Sequence, residues 1–115
     1  MQRPVQITFR GMTPSESVEA RIRDKVAHLE HLCDRIVGCH VVVDAPHHHQ
    51  RKGNLYTVAI EVSLPGAPPI LVSHPHHDVQ SHEDLYVAIR DAFDAARRRV
   101  QHYMDKRATA RHAPL

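Results

Sequence analysis

The chain has 115 residues, a formal net charge of +2 with its 12 histidines counted as neutral, and only 4% aromatic residues. That length holds one domain with an aliphatic core. No stretch reaches the ~20 apolar residues of a membrane span and no early apolar run resembles a signal peptide, so a cytoplasmic protein is expected. Of the 15 basic residues twelve are Arg and three are Lys. The planar fork of Arg suits phosphate, which favours an anionic partner. Cys33 and Cys39 have neither metal nor redox spacing and read as reduced, small core residues.

Val5, Ile7 and Phe9 alternate with polar neighbours, the pattern of a strand with one buried face. Thr13 followed by Glu16 forms a capping box, with Pro14 at the first helical position, where its missing N–H costs nothing. The helix so opened buries Val18, Ile22, Val26, Leu29 and Cys33 and is expected to end near Arg35, before Gly38. On a helical wheel its charges separate, with Arg21, Lys25, His28 and Arg35 on one flank and Glu16, Glu19 and Glu30 on the other.

Cys39 to Asp44 contains three consecutive valines and predicts a second strand. A polar segment, Ala45 to Asn54, follows. Leu55 to Leu64 predicts a long third strand with Tyr56, Val58, Ile60, Val62 and Leu64 on the core face. Pro65 to Pro68 form a hairpin connection. Ile70 to Ser73 is a short fourth strand near an edge, because prolines flank it, and His74 to His82 reads as a loop. Ser81 with Asp84 makes a second capping box. Asp84 to Arg107 is a long helix whose Leu85, Ile89, Ala92, Phe93, Ala96, Val100 and Tyr103 form one apolar stripe. A single domain over residues 1–107 is expected, followed by a short flexible tail at 108–115.

The order β-α-β-β-β-α implies an α+β fold, a two-layer sandwich with a four-stranded, mostly antiparallel sheet and both helices on one face. Following the chain direction makes the two helices parallel and gathers the segments 10–13, 45–54 and 74–82 at one end.

Two side-chain constellations carry possible chemistry. If the Arg21, Lys25, His28 and Arg35 flank faces the second helix, Arg90, Arg97 and Gln101 turn toward it and a cationic groove results. The sequence alone does not decide which flank faces inward. Such a groove suits a phosphate backbone, whose counterions Lys and Arg displace. The competing reading is an ordinary solvated surface in which Asp94 pairs with Arg97 or Arg98. Tyr56, Tyr86 and Tyr103 fall on or near core faces, so stacking platforms for single strands are lacking and folded RNA read by shape is the better fit.

The second constellation is histidine, with His47, His48 and His49 in one segment and His74, His76, His77 and His82 in another at the same end. His47, His49, His74, His76 and His77 are candidate ligands for Zn, Ni or Cu; their spacing matches no established motif, and solvated histidines are the alternative. There is no Gly-rich phosphate loop and no nucleophile elbow, so neither an enzyme nor a cofactor is expected.

The element order, the segment Leu29-Glu30-His31-Leu32-Cys33-Asp34-Arg35-Ile36 running into His40-Val41-Val42-Val43, and Glu83-Asp84-Leu85-Tyr86-Val87-Ala88-Ile89 at the start of the last helix resemble one known family. It is the short ribosome hibernation promoting factors and ribosome-associated inhibitors, also called sigma-54 modulation proteins. The resemblance spans about residues 3 to 107. It implies a β-α-β-β-β-α fold similar to double-stranded RNA binding domains. It also implies a factor that binds small-subunit rRNA in the mRNA and tRNA channel under stress or in stationary phase. The partners implied are the small ribosomal subunit and its rRNA, with no membrane and no DNA. Lys25, Arg98 and Lys106 fall at positions that are commonly basic in the family, and Arg90 and Arg97 extend the set. With Arg21 and Arg107 these make the expected rRNA-binding residues. The alternative is a His-rich metal-binding or metal-responsive protein that keeps the fold without binding the ribosome.

Overall fold

Alternating apolar residues in four segments and two helical stripes produce the elements β1 (Gln6–Arg10), α1 (Glu16–Leu32), β2 (Gly38–Asp44), β3 (Asn54–Ser63), β4 (Ile70–Val79) and α2 (His82–His112). They are taken from a computed structural model of the chain, which describes residues 1–45, 54–79 and 82–112. The sheet order is β1-β2-β3-β4. β1 pairs with β2 in parallel, Ile7 opposite Val41 and Phe9 opposite Val43, and the other two pairings are antiparallel. A parallel pair cannot be closed by a tight hairpin, and α1 is the crossover that joins it.

Both helices cover one face of this sheet. Val18, Ile22, Val26 and Leu29 of α1, Val41, Val43, Val58, Ile60 and Val62 of the sheet, and Leu85, Ile89, Phe93 and Val100 of α2 join in one buried cluster. Ala88, Ala92 and Ala96, all buried, recur every fourth residue along α2, and their small side chains let the helix axis approach the sheet closely. Among the described residues no polar or charged side chain is buried. The expected two-layer α+β sandwich is therefore the observed fold.

The boundaries of α1, β4 and α2 differ from the expectation. α1 is capped by Ser15, whose extended backbone (φ −120°, ψ 122°) lets its Oγ accept from the Val18 N–H at 3.4 Å. The helix thus begins two residues later than the Thr13–Glu16 pattern places it, and Thr13 and Pro14 lie outside it. α1 ends at Leu32, short of Arg35. Cys33 turns to an extended conformation there, donates its N–H to the Leu29 carbonyl at 2.9 Å, and drops its side chain into the core.

The largest change is in β4, which runs to Val79 and absorbs most of the expected loop at 74–82. Pro75 stands opposite Thr57 in the register, inside the strand. A proline is tolerated there because β4 is an edge, where the missing N–H removes no bond that a further strand would need. β3 is itself ten residues long, so it offers a full-length template. α2 starts at His82 and continues past Arg107 to His112. Neither glycine nor proline occurs between Arg107 and Pro114, and Ala108 and Ala110 are strong helix formers. Ser81, the expected cap, lies outside the described residues.

The β3–β4 hairpin is fastened to α2. Gly66 holds φ +68° in the turn, a conformation that side chains disfavour. The Tyr103 hydroxyl donates to the Pro65 carbonyl at 3.1 Å, and the Arg99 guanidinium donates to the Leu71 carbonyl.

Two outcomes follow from these local arrangements. Ser15→Ala should lower the free energy of unfolding by about 1 kcal/mol in urea titration, whereas Thr13→Ala should change it by less than ~0.5 kcal/mol. Burial, reinforced by the Glu30 and Glu61 carboxylates, pushes the Cys39 thiol from its ordinary 9.0 up to about 12. A raised thiol leaves stability intact below the unfolded value and removes it as pH climbs from 9.0 toward 12. The urea midpoint of the wild type should therefore fall more steeply across that alkaline window than that of Cys39→Ala.

Candidate nucleic-acid interface

The polar flanks of the two helices meet above the core, and their contacts run in the same order along both helices. Arg21 places its guanidinium carbon 4.5 Å from the centre of the Tyr86 ring. One to two turns on, Lys25, His28 and Leu29 line a cleft with Phe93, Asp94 and Arg97. Near the far end, Cys33, Asp34 and Arg35 share a second cleft with Tyr103, Met104 and Arg107. The helices are thus parallel, and the basic flank of α1 is the one turned toward α2. That is the orientation the sequence left undecided.

The acidic flank of α1 is handled differently. Glu19 pairs with Arg23 at 2.9 Å, and Glu30 accepts from the terminal amino group of Met1 at 3.1 Å. Cations on that side are consumed by carboxylates. Among the described residues, neither Lys25 nor Arg97 in the cleft has an ion-pair partner. Asp94 pairs with neither Arg97 nor Arg98, so the solvated-surface reading built on that pair does not describe this helix. The cleft measures about 190 Å³. Arg97 also walls a shallower hollow of about 320 Å³ on the outer side of α2, with Arg98, Gln101, His102 and Asp105. Gln101 occupies Asp105 through a 3.0 Å hydrogen bond, which leaves Arg97 and Arg98 as the cations facing solvent.

The seven residues expected to contact RNA therefore divide. Arg21, Lys25, Arg97 and Arg98 form one continuous patch. Arg90, expected to point into the groove, is instead held by its neighbour Asp91, with Nε at 3.3 Å and Nη2 at 3.2 Å from the same carboxylate oxygen. Lys106 is seven residues from Arg99 and so shares its side of α2, the side that reaches β4. Arg107 lies over the Tyr103 ring at 5.6 Å and belongs to the far cleft, with Arg35.

Tyr86 and Tyr103, expected near the core, are half-buried and each carries an arginine on its ring. The Tyr103–Arg107 contact was visible as an i, i+4 spacing. The Arg21–Tyr86 contact joins residues distant in the chain and had no local signal.

His47 and His49 lie outside the described residues, and the backbone of His74, His76 and His77 belongs to β4 and not to a loop. Among the described residues no group of three or more His, Cys, Asp or Glu comes together to hold a metal ion, and no helix is long and apolar enough to cross a membrane.

The arrangement resembles solved structures. A ribosomal subunit interface protein from Coxiella burnetii superposes with a TM-score of 0.68 at 17% identity, covering 88% of this chain and 97% of that one. The N-terminal domain of Protein Y from Thermus thermophilus superposes with a TM-score of 0.66 at 20% identity, covering 85% and 94%. At these identities the likeness establishes the fold. No curated protein matches the chain. Residues 5–108 match the model of the family described as sigma 54 modulation protein / S30EA ribosomal protein, and with this fold and nearly its whole length matched, the chain belongs to that family.

Proposed function

We propose that this chain is a ribosome hibernation factor. It binds rRNA of the small subunit in the channel used by mRNA and tRNA and blocks translation in the cytoplasm under stress or in stationary phase. The observation that carries the reading is the patch of Arg21, Lys25, Arg97 and Arg98, cations drawn from two parallel helices and not neutralised by carboxylates, in a member of a ribosome-associated family. Family membership supplies the partner, and the patch supplies the means of holding it.

The mechanism is occlusion. Two helices fixed to one sheet face form a rigid body, so the cations along the groove are held in place before RNA arrives and little ordering entropy is lost on binding. Guanidinium and ammonium groups so placed neutralise phosphates and release counterions without reading bases. Arg21 is positioned by the Tyr86 ring beneath it, which leaves its outer N–H groups for phosphate. Arg90, Lys106 and Arg107 contribute to the general positive field and contact RNA less directly.

Co-sedimentation with purified small subunits across a salt series tests this. Lys25→Glu combined with Arg97→Glu should weaken binding at least tenfold at low salt and reduce the slope of log affinity against log salt by about 2. Lys106→Glu should cost less than about threefold. The reverse ranking would move the interface to the β4 side of α2, and equal pelleting of the double mutant and wild type would remove the groove from the function. Occlusion predicts further that a saturating amount of the protein displaces labelled tRNA from the small subunit.

A further inference from the structure

Each of the two hollows that share Arg97 also holds a histidine. His28 lines the interhelical cleft beside Lys25 and Arg97, and His102 lines the outer hollow beside Arg97 and Arg98. We infer that His28 and His102 make the phosphate affinity of this surface depend on pH, so that mild acidification tightens the grip on RNA.

The charged groups that face His28 come from both helices. Lys25 on its own helix and Arg97 on α2 supply two cations. Asp94 on α2 is the carboxylate that lines the cleft, and Asp24, outside it, has its Oδ2 3.9 Å from His28 Nδ1. Lys25 and Arg97 therefore face one carboxylate in the cleft, and protonation of the imidazole adds a third cation. His28 and Asp24 are both well exposed, at 68% and 65%, so the carboxylate does not sequester the ring and the proton can serve an arriving phosphate. Arg21 sits one turn toward the start of the helix and adds to the positive side.

Around His102 the charged groups are Arg97, Arg98 and Asp105, all on α2; no described residue of α1 or the sheet lines that hollow. Asp105 is already engaged by Gln101. The Gln101 amide is neutral and leaves the Asp105 charge in place, so a protonated His102 makes three cations against one carboxylate in that hollow. Imidazole is the side chain whose charge responds to pH within the range that cells cross.

The inference rests on the proposed RNA-binding function, and the experiment separates the two. Binding of the full chain to purified small subunits is measured as a salt series at about pH 7.5 and about pH 6. Each protonated histidine that meets a phosphate releases counterions, so the slope of log affinity against log salt should steepen by about 1 to 2 at the lower pH, and affinity should rise roughly three- to tenfold. His28→Gln with His102→Gln should lose that steepening. His28→Lys with His102→Lys should show the steep slope at both pH values. His40→Gln, on the open sheet face where His40 bonds the Thr8 hydroxyl at 2.9 Å, should keep the pH response. All the substituted positions are exposed or half-exposed, and a thermal melt of each variant verifies that it folds. A wild-type slope that does not change with pH, or a steepening that survives the double glutamine variant, overturns the inference while leaving RNA binding intact. No binding at either pH overturns the proposed function and this device with it.

Discussion

The parallel packing of α1 and α2 on one face of the sheet is the constraint on which the rest depends. β1 and β2 run parallel, so α1 must return antiparallel to them, and two further reversals through β3 and β4 bring α2 back in the direction of α1. Flanks with matching positions along the chain are then brought together turn by turn. Arg21 meets Tyr86, Lys25 and His28 meet Phe93 and Arg97, and Arg35 meets Tyr103 and Arg107. Had the helices run in opposite directions, the same sequence would have placed the first turns of α1 against the Arg-rich last turns of α2.

The core makes this placement rigid at low cost in specificity. It is aliphatic, with no buried polar or charged group among the described residues, so packing alone sets the helix positions and no internal ion pair has to be desolvated. The alanine row of α2 draws that helix close to the sheet, and Tyr103 and Arg99 fasten its later turns to the β3–β4 hairpin. Both of those side chains are used structurally, which is why an arginine count overstates the cations offered to a ligand. Arg99 serves β4, Arg90 is matched by Asp91 and Arg23 by Glu19. What remains is a smaller and better localised patch.

That localisation bears on how such a surface can be regulated. A strongly basic face would hold RNA at any pH. Here Lys25 and Arg97 face the single carboxylate of Asp94 in the cleft, so one or two added charges are a large part of the total, and two of the histidines stand where that change counts. The richest histidine segments of the sequence, 47–49 and 74–77, belong to neither helix, and composition alone would have directed attention there.

The element order, the α+β class, the two apolar stripes and the core strands Val41–Val43 and Val58–Val62 were determined by the sequence, because apolar periodicity and β-branched runs are local properties that the solvent enforces wherever the chain folds. So was the division of α1 into basic and acidic flanks, which needs only the helical repeat. Its cap was not legible, because Thr13 and Ser15 both offer a hydroxyl and the structure shows the second one accepting from the Val18 N–H. The length of β4 was not legible, since whether Pro75 ends a strand depends on whether a neighbour needs its N–H, and only the sheet order makes it an edge. Nor was the choice of flank facing α2, the seat of Arg21 on Tyr86, or the loss of Arg90 and Arg99 to other partners. Those are contacts between residues far apart in the chain, and the tertiary structure alone decides them, through the directions that the strands impose on the two helices.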